Sequence, residues 1–316
     1  MKIHNIQDAS LEGMGDLHFE LAIFALGYET RCTEIARVIN HGNIDKKLVL
    51  AFGEFVDTES RSRNQALFEA IGGVHIEYGS ASDGDFIIQV LRDYLRNLTS
   101  NRIRIFVDYS SMSKCWYSAI VSFLKFFDRF SKVEVYFCYQ PGVHVGDAAP
   151  KVVNNISMLP GFEGRLTGRA KSVGIFVLGF EAMAVFAAHE RLEPDEVYAV
   201  YAKPGAIEGY DRVALEKNRE FLTAYKPTVL SMPLRSVGGA YQIFSDLVVG
   251  AIGRSSEIGA AALGPKPHCL ALLLVAARFP ELGVLQVGGA IREPIDVTPS
   301  GRPVVTCVEF LEREKV

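Results

Sequence analysis

Two lysines in matching surroundings are the residues best placed to do chemistry in this sequence. Lys114 ends the polar stretch Asp108-Tyr-Ser-Ser-Met-Ser-Lys114, which lies between the apolar run Ile103–Val107 and a helix-length apolar segment. Lys266 ends Ala261-Ala-Leu-Gly-Pro-Lys266 and is likewise followed by an apolar segment. A strand, a tight loop and a helix that begins at a lysine suit a phosphate or another anion. Orphan amides, the helix dipole and the ammonium charge all converge there. The plainer alternative is a serine helix cap beside a solvated lysine, and a single copy favours it.

The two copies are related. The separation from Lys114 to Lys266 is 152 residues, and so is that from Gly27 to Gly179, in Phe24-Ala-Leu-Gly-Tyr-Glu-Thr30 and Phe176-Val-Leu-Gly-Phe-Glu-Ala182. Arg63-Asn-Gln-Ala-Leu-Phe-Glu69 matches Lys217-Asn-Arg-Glu-Phe-Leu-Thr223 at an offset of 154. Markers that recur at a nearly constant offset indicate an internal duplication.

The elements that must position these loops follow from periodicity. In the first half, apolar runs at Leu21–Leu26, Lys47–Phe52, Val74–Tyr78, Ile103–Val107 and Val133–Tyr139 read as strands. Helical patterns fall at Thr30–Ile39, Arg61–Ile71, Asp85–Leu98 and after Lys114. The second half repeats the order, with strands at Val173–Leu178, Val197–Ala202, Thr228–Met232 and Val284–Val287 and helices to about His189, at Arg212–Ala224, at Gly239–Ile252 and after Lys266. Strands alternating with helices give βαβ units. The expected fold class is α/β, with two tandem Rossmann-like, doubly wound, mostly parallel sheets. The domains expected are a first repeat over 1–150, a linker over 151–170, a second repeat over 171–290 and an extension over 291–316. Asn154–Leu159 can add a strand. The extension reads as an antiparallel hairpin of Pro294–Val297 and Val304–Phe310, able to cover a sheet edge.

Composition narrows the function classes. The chain has 316 residues, 22% of them charged, and a net charge of −4, so it lacks the basic footprint of a duplex nucleic-acid binder. Five cysteines without a C-x-x-C pair suit reduced thiols in a cytoplasmic protein. Neither a signal-peptide core nor a membrane-length apolar run is present. Seven histidines, at 4, 18, 41, 75, 144, 189 and 268, show no ligand spacing, so neither a metal nor a cofactor is expected. Arg61-Ser-Arg63 reads as a solvated helix start rather than a nucleic-acid patch.

In open parallel sheets ligands collect beyond the carboxyl ends of the strands. Each half places there a Gly-aromatic-Glu turn and a lysine loop. The strand–polar loop–Lys–apolar helix step resembles that of the CRISPR-associated Rossmann-fold (CARF) ligand sensors. Ser110-Ser-Met-Ser-Lys114 and Leu263-Gly-Pro-Lys266 carry the resemblance, together with Leu26-Gly27 and Leu178-Gly179. CARF domains pair about a two-fold and bind cyclic oligonucleotides, and the related SAVED domains carry two such units in one chain. The resemblance spans most of residues 20–290. It departs from the usual Thr-Gly-Gly-Thr at both lysine loops. It implies a nucleotide-like ligand, a separate effector protein as partner and a bacterial defence context.

Ligand contacts are therefore expected from Gly27, Tyr28, Glu29, Arg31, Ser110, Ser111, Ser113 and Lys114, and from Gly179, Glu181, Gly264, Lys266 and His268. If the halves pack about a pseudo-two-fold, Lys114 and Lys266 face one cleft. The halves also differ chemically. At the 152 offset Asp108 meets Ala260, Arg31 meets Met183, and His268 meets Trp116. That asymmetry keeps open an enzyme acting on a nucleotide or phosphosugar, with Glu29, Asp108, Ser111 and Lys114 as its catalytic set. Ser111-Met-Ser-Lys114 also fits S-x-x-K, but the companion motifs of the β-lactamase-like enzymes are absent. A scaffold whose repeats pack only on one another or on partners is the third reading.

Overall fold

The computed structural model of the chain describes residues 1–144, 153–165, 168, 171–254, 256–289 and 294–312. In chain order the first elements are β1 (Lys2–Ala9), β2 (Leu21–Leu26), α1 (Glu34–Val38), β3 (Lys47–Phe52), α2 (Glu59–Ile71), β4 (Val74–Gly79), α3 (Gly84–Leu95), β5 (Arg102–Asp108), α4 (Lys114–Phe126), β6 (Lys132–Tyr139) and β7 (Gly142–His144). Then come β8 (Val153–Met158), β9 (Ser172–Val177), α5 (Ala182–Leu192), β10 (Glu196–Ala202), α6 (Tyr210–Lys217), α7 (Arg219–Tyr225), β11 (Thr228–Met232) and α8 (Val237–Gly253). The last are β12 (Glu257–Ala262), α9 (Lys266–Arg278), β13 (Leu282–Gly289), β14 (Val297–Pro299) and β15 (Val304–Leu311).

The chain divides into two compact units, Met1–Ala148 with Glu293–Val316, and Ala149–Arg292. The C-terminal segment thus belongs to the first unit. The repeat boundaries expected at 150/151 and 290/291 lie outside the described residues.

The same strand order appears in both sheets. The first runs β1-β15-β6-β5-β2-β3-β4 and the second β11-β10-β9-β12-β13-β8. Within each, five parallel strands lie in the order third, second, first, fourth, fifth, the doubly wound arrangement. An antiparallel strand follows the fifth in each sheet, β15 against β6 and β8 against β13. The sequence is apolar where this architecture demands it. β2 is buried at all six positions, as a central strand covered on both faces must be. Phe24 of β2 packs on Phe68 of α2, and Phe176 of β9 on Phe221 of α7, at ring separations of 5.7 and 5.5 Å.

Register refines the duplication. Ile23 lies opposite Val107, and Ile175 opposite Ala260. In the strands Asp108 therefore corresponds to Ala261, not to Ala260, and the second lysine loop is one residue shorter than the first.

Two expectations from local pattern are corrected, and one strand lies where no element was expected. The C-terminal hairpin does not form, because β14 pairs with β7 and β15 is inserted between β1 and β6. Strand β1 went unread, since its apolar side is only partly buried and its sole strand partner is β15, which is remote in sequence. The helix expected over Arg212–Ala224 is broken at Asn218, whose side chain turns back to the Ala214 carbonyl at 2.7 Å and reaches the Gly179 carbonyl at 2.8 Å.

Candidate functional site

In each unit the order of strands reverses between the first and the fourth, the point where ligands of open α/β sheets collect. Here that point lies between β2 and β5 and between β9 and β12. The Gly-aromatic-Glu turn leaves one of these strands and the lysine loop leaves the other, so the fold places the two loops of each unit beside one another.

In the first unit the loops are joined by side chains. Arg31 grips the Glu29 carboxylate from Nε and Nη2 at 3.0 and 3.3 Å, and Ser111 Oγ donates to the same carboxylate at 2.8 Å. Arg31 Nη1 reaches the Tyr139 hydroxyl at 3.2 Å and the Gln140 carbonyl at 3.4 Å. Burial opposes the charge on Arg31, but the Glu29 carboxylate and the Tyr139 hydroxyl together outweigh it and hold the guanidinium pKa above its ordinary value. Arg31 is thus a cation already neutralised inside the protein. Beside it, Thr30 donates from its backbone amide and its hydroxyl to Asp296, both at 2.7 Å.

Asp108 and Ser110 lie behind the loop. Asp108 is 2% exposed and Ser110 0%. The Asp108 carboxylate accepts from the Ser110 amide and hydroxyl, and Ser110 Oγ accepts from the Gln140 amide. This chain of bonds fixes the exit from β5 and engages both residues within their own loop. Ser113 caps α4, accepting from the Trp116 amide at 3.1 Å. Lys114 is the first residue of α4, half-buried, its side chain making no hydrogen bond or ion pair among the described residues. Gly27 and half-buried Tyr28 form the facing turn, with the Tyr28 ring edge-on to Phe55 at 5.4 Å.

The second unit repeats the frame and replaces the side chains. Phe180 packs edge-on against Tyr210 at 5.2 Å, as Tyr28 does against Phe55. Asn64 donates to the Gly27 and Glu29 carbonyls at 2.9 and 3.0 Å, and Asn218 to the Gly179 carbonyl at 2.8 Å. The two asparagines that mark the repeat in sequence are therefore the pins that tie the second helical segment to the first loop. Here, however, the loops meet backbone to backbone. A Cβ on Gly179 would stand 2.2 Å from the Leu263 carbonyl oxygen, and one on Gly264 would stand 2.7 Å from that of Leu178. Lys266 is the first residue of α9, and Glu181 is exposed just before α5.

His268, expected among the ligand contacts, lies in the interior of the second unit. It is 0% exposed, with Nε2 3.2 Å from the Pro233 carbonyl and Nδ1 without a described partner. Burial holds its pKa down to about 4, below the ordinary 6.5, and the bond to Pro233 offsets only part of that. The unfolded chain therefore binds this proton more readily than the folded one. Stability is complete above pH 6.5 and falls as the pH drops from 6.5 toward 4. The expected loss is about 2 kcal/mol by pH 5, and His268→Gln should flatten that slope in urea unfolding curves recorded across pH.

Arg61 departs from the sequence expectation. The helix start was expected to be solvated, and Arg63 is, pairing with Glu59 at 3.5 Å. Arg61 is instead 2% exposed. Among the described residues no set of three His, Cys, Asp or Glu side chains could hold a metal, and no helix is long and apolar enough to cross a membrane.

No protein-family model matches the sequence, and neither does any curated protein. Among solved structures, a Type III CRISPR defence DNA nuclease activated by cyclic oligoadenylate matches with a TM-score of 0.50 at 13% identity, over 81% of this chain and 64% of that one. This chain therefore spans less than two thirds of the nuclease's length. The likeness is one of fold. A candidate universal stress protein from Pseudomonas aeruginosa UCBPP-PA14 matches over 86% of this chain and 94% of its own, at 12% identity. Its TM-score of 0.23 is too low to carry an argument.

Proposed function

We propose that the chain is a ligand-sensing module that binds a nucleotide-like anion, with a cyclic oligonucleotide as the foremost candidate. Occupancy is passed to a separate effector protein in bacterial defence. The observation that carries this reading is the placement of a lysine as the first residue of a 13-residue helix at the switch point of both units. A cation there is disfavoured by the helix dipole, so helix stability gives no reason for it. An anion bound at the same place gains from the dipole, the free amides and the ammonium together. The fold likeness to a nuclease activated by cyclic oligoadenylate supports the ligand class. Glu29 and Ser111 shape the first-unit loop, with Gly27 and Tyr28 beside them. Gly179, Glu181 and Gly264 accompany Lys266 in the second.

One observation favours an enzyme as the second reading. The Ser111 hydroxyl lies 2.8 Å from a carboxylate, the relation of a nucleophile to its base. Both oxygens of that carboxylate are also held by Arg31, which lowers its power as a base and makes binding the stronger reading.

The test is a panel of cyclic and linear nucleotides, followed by thermal shift and by chromatography of products. Stabilisation without turnover is expected, with Lys114→Ala weakening the best ligand by about tenfold or more, the worth of a charge-assisted contact. Turnover abolished by Ser111→Ala would favour the enzyme. No shift with any nucleotide would end both readings and leave the scaffold.

A further inference from the structure

We propose that Arg61 holds a phosphate-like anionic group beneath the loop that follows β2, in the first unit only. This deepens the anionic-ligand reading and rests on it.

The side chain is 2% exposed, yet its described polar contact is neutral, Nη1 donating to Gln65 Oε1 at 2.9 Å. Its Nε is buried with no partner, and no carboxylate pairs with it among the described residues. A guanidinium keeps its charge at every physiological pH, so burying it uncompensated is unfavourable unless an anion completes the site.

Position points the same way. Arg61, Asn64 and Phe68 share one buried face of α2, and Asn64 is bonded to the Gly27 and Glu29 carbonyls. Arg61 therefore lies one turn from the loop, in the first turn of a 13-residue helix whose dipole also favours an anion. Its charge is felt at the Cys32 thiol, which lies 3.8 Å from the Gly27 carbonyl. The segment leading into α2 holds Phe55 at φ 55°, a left-handed conformation that is unusual for an aromatic residue. That residue packs edge-on against Tyr28 of the loop that follows β2.

The duplication supplies the control. The pin Asn64 recurs as Asn218, but at the same offset of 154 Arg61 becomes half-buried Leu215. The fold therefore needs the asparagine and does not need the cation. The other arginine of the first site, Arg31, is already neutralised by Glu29.

The experiment titrates inorganic phosphate into the full chain and into Arg61→Leu and Arg61→Lys, reading the thermal shift. Phosphate should stabilise the wild type. Arg61→Leu, which copies the other half, should be at least as stable as wild type without phosphate and should lose at least about tenfold in apparent phosphate affinity. If Arg61→Leu does not fold, Arg61→Lys decides. Weaker phosphate stabilisation supports the site, and an unchanged shift overturns it. A wild type that phosphate does not stabilise, or a leucine variant that it stabilises equally, also overturns it. The nucleotide panel reports separately on the sensor reading, so a failure here is distinguishable from a failure there.

Discussion

Replacing Arg31 with methionine, the residue at the matching position of the other half, is expected to destabilise the first unit by about 3 kcal/mol, at the low end for a broken buried pair because Glu29 keeps some access to water. The substitution removes the Arg31 ion pair from Glu29, whose side chain is 19% exposed in the intact pair, and it strips a donor from the Tyr139 hydroxyl. Urea unfolding followed by tryptophan fluorescence checks this cleanly. Trp116 is the single tryptophan in the chain, is 0% exposed and sits in the first unit, so its signal follows that unit alone. Adding Glu29→Gln should recover at least half of the loss, because the stranded charge, and not the missing contacts, is the larger part of it. A single variant as stable as wild type would show that Glu29 rehydrates freely and that the pair does not hold the loop.

Gly179→Ala is expected to destabilise the second unit by about 3 kcal/mol, and Gly27→Ala the first by less than about 1 kcal/mol, although the two glycines are equivalents in the repeat. The atoms a methyl group would meet explain the contrast. At Gly179 they belong to the Leu263 backbone, at 2.2 and 3.1 Å, and no rotamer change can relieve them. At Gly27 they belong to the Phe52 side chain, at 3.2 and 3.5 Å, which needs to give by only a few tenths of an ångström. Differential scanning calorimetry of both variants should show which unit's transition moves. Equal effects would mean that the backbone approach in the second unit is soft. The second unit thus closes its switch point with main chain, and the first closes it with Glu29, Arg31 and Ser111.

Much of this was legible in sequence for a physical reason. A repeat imposes the same strand order twice, and the markers Gly27/Gly179, Asn64/Asn218 and Lys114/Lys266 all sit where the chain must turn tightly, pin a loop or start a helix. Central strands such as β2 announce themselves because both faces must be apolar. Other features had no local signal. A strand pattern does not name its partner, so β15 read as half of a hairpin although it joins β1 to β6.

By itself, then, the sequence determined the duplication, the α/β class and the pairing of each glycine turn with a lysine loop, because these follow from periodicity and spacing. Only the tertiary structure decided which polar residues face inward. Asp108, Ser110 and His268 had the residue types of ligand contacts and are interior, while Arg61 looked like a solvated helix start and is buried. Burial and charge pairing depend on what the rest of the chain brings alongside a residue, and spacing along the chain does not carry that information.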